Sequence, residues 1–196
     1  MKALIIVDIQ YDFLPGGSLA VAKGDEIIPV INQIQPHYDL VVATQDWHPA
    51  DHQSFASQHV GKAVFDQIDL DGAEQVLWPD HCVQQSPGAE IADLLDTRHI
   101  EAIFRKGMDP CVDSYSGFYD NGRRKHTGLS GYLKDRHIEE VHVCGLAADF
   151  CVFYTAMDAL QEGFSSAIIS KATKAIDKGS FMEKKDIFIK HGGQLL

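Results

Sequence analysis

Long apolar runs are missing from this sequence. The N-terminal stretch Ala3-Leu4-Ile5-Ile6-Val7 is cut off by Asp8, too early for a signal-peptide core. It is also far below the roughly 20 residues a membrane helix requires. With no longer apolar stretch elsewhere, the expectation is a cytoplasmic chain with no membrane partner. Basic residues are scarce as well: 17 Lys and Arg stand against 28 Asp and Glu, a formal charge of −11. That balance excludes a general nucleic-acid binder, which needs a basic face to displace counterions. Paired cysteines are absent too. Cys82, Cys111, Cys144 and Cys151 are irregularly spaced, without a CxxC pair, and read as free thiols of a reducing compartment. No repeat, linker or low-complexity segment divides the chain, and 196 residues suit one core, so residues 1–196 are expected to form a single domain.

What is present is alternation. Short β-branched runs exchange with helical patterns, the mark of an α/β fold in three layers, a mostly parallel central sheet of about six strands with helices on both faces. The expected strands are Leu4 to Val7, Leu40 to Thr44, Ala102 to Arg105, Val141 to Gly145, Ala167 to Ile169 and a short one at Gln194 to Leu196. Helices are expected from Asp25 to His37, Ala89 to Leu95, Leu129 to Arg136, and from an Asp149 cap to Gly163. Residues 46–86 read as a long irregular loop, and such loops in compact domains carry function.

Ligands of parallel α/β sheets bind beyond the carboxyl ends of the strands. The first strand ends at Asp8, the second at Asp46 and His48, the third at Lys106, and the fourth opens onto Cys151. Cys151 follows small residues into a helix start, where backbone N–H groups and the helix dipole favour thiolate and can hold an oxyanion. Alone it reads equally as a buried structural cysteine, as Cys144 does. Asp8 and Lys106 fit either a structural ion pair or an acid–base pair serving the thiol, and spacing does not choose. Asp46 and His48 form an Asp-x-His pair that projects to one side of an extended segment, with His52 and His81 in the same polar loop. One carboxylate with two or three imidazoles suits a divalent cation, zinc first, iron or manganese as alternatives. His59, His126, His137, His142 and His191 read as solvated surface residues. Phe13, Trp78 and Tyr115 fall in loops on the same rim and together fit a slot for an aromatic ring.

These residues sit in blocks that resemble a known family. Asp8-Ile9-Gln10-Tyr11-Asp12-Phe13 is similar to a DxQxDF motif, and Thr44-Gln45-Asp46-Trp47-His48-Pro49 with Trp78-Pro79-Asp80-His81 to a metal segment. Phe104-Arg105-Lys106-Gly107, Asp113-Ser114-Tyr115-Ser116 and Gly145-Leu146-Ala147-Ala148-Asp149-Phe150-Cys151 follow in the same order. The set resembles the nicotinamidase/pyrazinamidase branch of the isochorismatase-like cysteine hydrolases. Ala148 departs from it, standing where many members have threonine. The resemblance implies an Asp8–Lys106–Cys151 triad, an Asp46–His48–His81 metal site and a role for His52 that varies among members. It also implies a cis peptide at Leu146–Ala147, an oxyanion hole from the amides of Ala147 and Cys151, and Phe13 and Trp78 flanking a pyridine ring. The implied reaction is hydrolysis of nicotinamide, a small aromatic carboxamide, in NAD salvage, with self-association into a homo-oligomer left open. A hydrolase of carbamoyl or ureido substrates and a thiol redox or metal-binding protein are the alternatives.

Overall fold

The computed structural model describes residues 1–70 and 72–196. Six strands form one parallel sheet: β1 (Lys2–Val7), β2 (Leu40–Asp46), β5 (Ile100–Lys106), β6 (Glu140–Gly145), β7 (Ser165–Thr173) and β8 (Gln194–Leu195), in the order β5-β2-β1-β6-β7-β8. The β-branched runs go to the middle, where both faces are covered: β2 is buried throughout and β1 from Ala3 onward. One face of β1, with Leu4 and Ile6, packs on Ile27, Ile28 and Ile31. The other, with Ile5 and Val7, packs with Leu129, Leu133, Val152, Ala156 and Phe188.

Apart from Ile27 and Val152, which sit in turns just before a helix, those side chains come from four helices, α1 (Ile28–Ile34), α2 (Leu129–Asp135), α3 (Phe153–Gln161) and α4 (Lys178–Lys190). The expected helix from Asp25 to His37 exists as three pieces, tight turns at Gly24–Ile27 and Gln35–His37 flanking α1. Pro36 has no N–H to continue the ladder, so α1 gives way there. The expected helix from Ala89 to Leu95 does not form. Ser86 caps one turn at Pro87–Ala89, after which the chain runs extended and bonds Tyr11 N to Glu90 O and Ala92 N to Ile9 O. Within the long polar loop, β3 (Gln67–Leu70) and β4 (Ala73–Val76) make an antiparallel hairpin.

Two further expectations are corrected. Asp149 does not cap its own helix; its carboxylate accepts from Ile176 N and Asp177 N, both at 2.9 Å. His142 is not solvated: it is 6% exposed, between Tyr38 Oη at 2.8 Å and Glu140 Oε1 at 2.7 Å. All four cysteines are free. Among the described residues no helix is long and apolar enough to cross a membrane.

Candidate active site

The chain leaves β1 along one side of the sheet through β2 to β5, then returns to the other side of β1 as β6. The crevice at this reversal, beyond the strands' carboxyl ends, is where such sheets bind ligands. Register does the rest. Val7 pairs with Gly145 across β1 and β6, so Asp8 and the turn leading to Cys151 leave the sheet side by side. Asp46 pairs with Lys106 across β2 and β5.

Asp8, Lys106 and Cys151 converge. Lys106 Nζ lies 3.0 Å from Asp8 Oδ2, 2.9 Å from Asp46 Oδ1 and 3.4 Å from Cys151 Sγ, and donates to Ser114 O at 2.8 Å. Asp8 and Lys106 are fully buried, and the carboxylates of Asp8 and Asp46 and the Cys151 sulfur lie within 4.8 Å of one another. Thr44 Oγ1 donates to Asp8 Oδ1 at 2.6 Å. Burial raises the Asp8 carboxyl above its ordinary value, against the ammonium of Lys106. Burial likewise pushes the Cys151 thiol well up, with Lys106 again opposing. Burial thus opposes the preference for thiolate expected at a helix start, and the thiol needs a base to give up its proton. Lys106 is driven the other way, because Asp46 and Asp8 overcome its own burial and hold it charged.

Cys151 sits in a wide π-helical turn, Ala148–Val152, entered through a cis peptide at Leu146–Ala147. Ala148 N donates to Lys174 O at 2.8 Å, and Phe150 N and Val152 N donate to Ala147 O at 3.1 Å. Those bonds fix the turn around the amides of Ala147 and Cys151.

Asp46, His48 and His81 come together at the other end. His48 Nε2 is 3.3 Å and His81 Nε2 3.7 Å from Asp46 Oδ2. Each ring is oriented from behind, His48 Nδ1 on Gly107 O at 2.9 Å and His81 Nδ1 on Pro79 O at 2.8 Å. His52 is fully buried beside them, its Nδ1 2.7 Å from Ser54 Oγ. The Nε2 atoms of His48 and His52 have no hydrogen-bond partner among the described residues. Buried nitrogens left bare in this way are what a metal would satisfy, so the donor set fits a cation. Burial, reinforced by His48, lowers His52 to about 4, which keeps that ring neutral and able to coordinate. Burial raises Asp46 while His48 and Lys106 lower it; the carboxyl ends well below the usual range.

A small cavity opens beside both groups. Phe13, Trp78 and Tyr115 line it, together with Asp46, His81, Ala147 and Cys151. Phe150 and Ile176 complete the apolar wall, and the Trp78 ring meets Phe150 edge-on at 4.8 Å.

Residues 2–188 match the isochorismatase domain model. The chain belongs to the isochorismatase family. It is 51% identical over 181 residues to the nicotinamidase of Acinetobacter baylyi, covering 92% of this chain and 85% of that one. PnC1 from L. infantum, solved in complex with nicotinate, superposes with a TM-score of 0.89 at 40% identity, covering 100% of this chain and 92% of that one. The pyrazinamidase of Pyrococcus horikoshii, solved in complex with zinc, gives a TM-score of 0.82 at 34% identity over 100% of this chain and 98% of that one.

Within this isochorismatase fold several site residues were not singled out from sequence. Gln10 grips the backbone of Asp46 from both sides, its Nε2 donating to Asp46 O and its Oε1 accepting from Asp46 N, each at 2.8 Å. Asp12 accepts from Cys82 N at 2.7 Å, which fixes the residue after His81. The spacing of Asp8, Gln10 and Asp12 is thus a chain of three fixings, and its polar alternation after an apolar strand was the available signal. Asp113 lines the cavity as well; it falls in a block with Tyr115 that the sequence marks without giving the carboxylate a role.

Proposed function

We propose that residues 1–196 act as one hydrolase domain that converts nicotinamide to nicotinate and ammonia through a thioester on Cys151, with pyrazinamide as a second substrate. The observation that carries this reading is the Cys151 sulfur 3.4 Å from the Lys106 ammonium, on a cavity walled by Phe13, Trp78 and Tyr115. A flat aromatic amide held against those rings would present its carboxamide to the sulfur. The nicotinamidase of Acinetobacter baylyi, the nicotinate complex of PnC1 and the zinc complex of the Pyrococcus pyrazinamidase support the choice of substrate and cation.

In this mechanism Asp8 accepts the thiol proton as sulfur attacks the amide carbon, and Lys106 balances the charge left on both. The amides of Ala147 and Cys151 hold the oxyanion. Asp8 returns the proton to the departing ammonia, then takes one from water as it cleaves the thioester to release the acid. Phe13 and Trp78 hold the ring between them, which makes the attack effectively intramolecular. Asp46, His48 and His81 would hold a divalent cation, zinc before iron or manganese. Bound there, it supplies a Lewis-acid anchor for the ring nitrogen. Four free thiols suit a reducing compartment, and we assign the protein to the cytoplasm.

The test is ammonia and nicotinate release from nicotinamide by zinc-loaded protein, repeated after chelation and after zinc is restored. The expected result is turnover that chelation removes and zinc restores. Zinc-loaded protein that releases no ammonia from nicotinamide, while cleaving a ureido or carbamoyl compound, would overturn the assignment.

A further inference from the structure

Asp113 has no part in the mechanism above, yet it is buried in the same cavity as Asp46 and His81. Its carboxylate and nitrogens of His48 and His52 lie within 4.8 Å of one another. Its oxygens are held from behind, Oδ1 accepting from Ser114 N at 2.7 Å and Oδ2 from Gln75 Nε2 at 3.0 Å. Gln75 is itself buried in the β3–β4 hairpin and also donates to Tyr115 Oη at 3.1 Å. No basic side chain forms an ion pair with Asp113 among the described residues. Asp113 thus holds a buried carboxylate beside two imidazoles whose Nε2 atoms make no hydrogen bond among the described residues.

We propose that Asp113 is the second carboxylate of the cation site, closing it on the side of His52, with Gln75 as the residue that positions it. The inference rests on the reading that this pocket binds a divalent cation, and extends it to a residue outside the Asp46–His48–His81 group.

The experiment is a zinc titration of wild type, Asp113→Asn and Asp113→Glu against a chromogenic chelator, with the melting temperature of each zinc-free protein measured in parallel. Asn keeps the shape and its Oδ1 can still accept from Ser114 N, while its Nδ2 meets the Gln75 Nε2 donor, so the variant removes the charge and the bond from Gln75 together. Zinc affinity is expected to fall about 10–100-fold in Asp113→Asn, the range for residues that support a metal site. Asp113→Glu, which keeps a carboxylate, should retain more affinity than Asp113→Asn, whatever either loses in zinc-free melting temperature. Unchanged zinc affinity in Asp113→Asn overturns the proposal. So do equal losses in both variants with a lower zinc-free melting temperature, since Asp113 would then only order its loop. Wild-type protein that takes up no zinc removes the cation reading itself, and this inference with it.

Discussion

Lys106 Nζ stands 2.9 Å from Asp46 Oδ1, and this contact joins the thiol half of the pocket to the imidazole half. It follows from strand register, because Asp46 and Lys106 are partners across β2 and β5. Replacing Lys106 by Met keeps the length of the side chain and removes its charge, leaving Asp8 and Asp46 facing each other unbalanced. Breaking a buried ion pair from one side costs about 3–5 kcal/mol. Chemical denaturation of Lys106→Met should show a loss of that order, with no measurable ammonia release. Stability equal to wild type would mean that the two acids are neutral in the folded protein.

Cys151→Ala separates chemistry from folding. The sulfur is small and sits in a turn fixed by the bonds of Ala148, Phe150 and Val152, so the fold should survive its removal. Loss of a nucleophile that acts with its base is expected to lower ammonia release by about 10⁴-fold or more. Zinc content should stay at the wild-type level. Turnover retained in this variant would remove cysteine from the mechanism.

The pH profile reports on Asp8. As the base for the thiol proton it must be ionised, and burial raises its pKa above the ordinary 3.8. The base form is present only above that raised value, so kcat/KM should fall, as pH drops, earlier than an ordinary aspartate would dictate. Thr44 Oγ1 donates to the ionised carboxylate and opposes the rise. Thr44→Val deletes that bond at nearly constant volume, and the acid limb should move to higher pH. An acid limb unmoved by this substitution would point to a base other than Asp8.

The parts of this molecule legible in sequence are those where one local pattern decides the outcome. The buried runs of β1, β2 and β6 read as interior strands, and Asp8, Asp46 and Cys151, at or beyond their carboxyl ends, lie within 4.8 Å of one another. The helix α4 was missed because its pattern is weak: only Phe188 is fully buried, while Met182, Ile187 and Ile189 are 43–55% exposed. Phe150, Ile176 and Asp113 were missed for another reason. Ile176 reaches the cavity because its N–H bonds Asp149 across 27 residues, and Asp113 is held there by Gln75 across 38. Contacts of that separation leave no local trace. His142 shows the converse error, a polar residue in a β-strand assigned to water when Tyr38 and Glu140 were its partners.

Gly107 offers a test of the imidazole end at a residue that itself carries no chemistry. Its φ is +66°, a region costly for any residue with a side chain, and its carbonyl holds His48 Nδ1 at 2.9 Å. A Cβ added there would lie 2.6 Å from His48 Nδ1 and 3.1 Å from Asp46 Oδ1, so either the ring or the loop must shift. Gly107→Ala should therefore weaken zinc binding on the order of 10–100-fold, as the loss of support behind a metal-binding histidine does. Gly61 is the control, with a similar φ of +77° and nothing within 4 Å of an added Cβ. Gly61→Ala carries the backbone cost alone, about 1 kcal/mol, and should leave zinc affinity unchanged. Chelator competition and melting curves on both variants decide the matter. If Gly107→Ala loses only as much stability as Gly61→Ala and binds zinc normally, the carbonyl of Gly107 is not what orients His48.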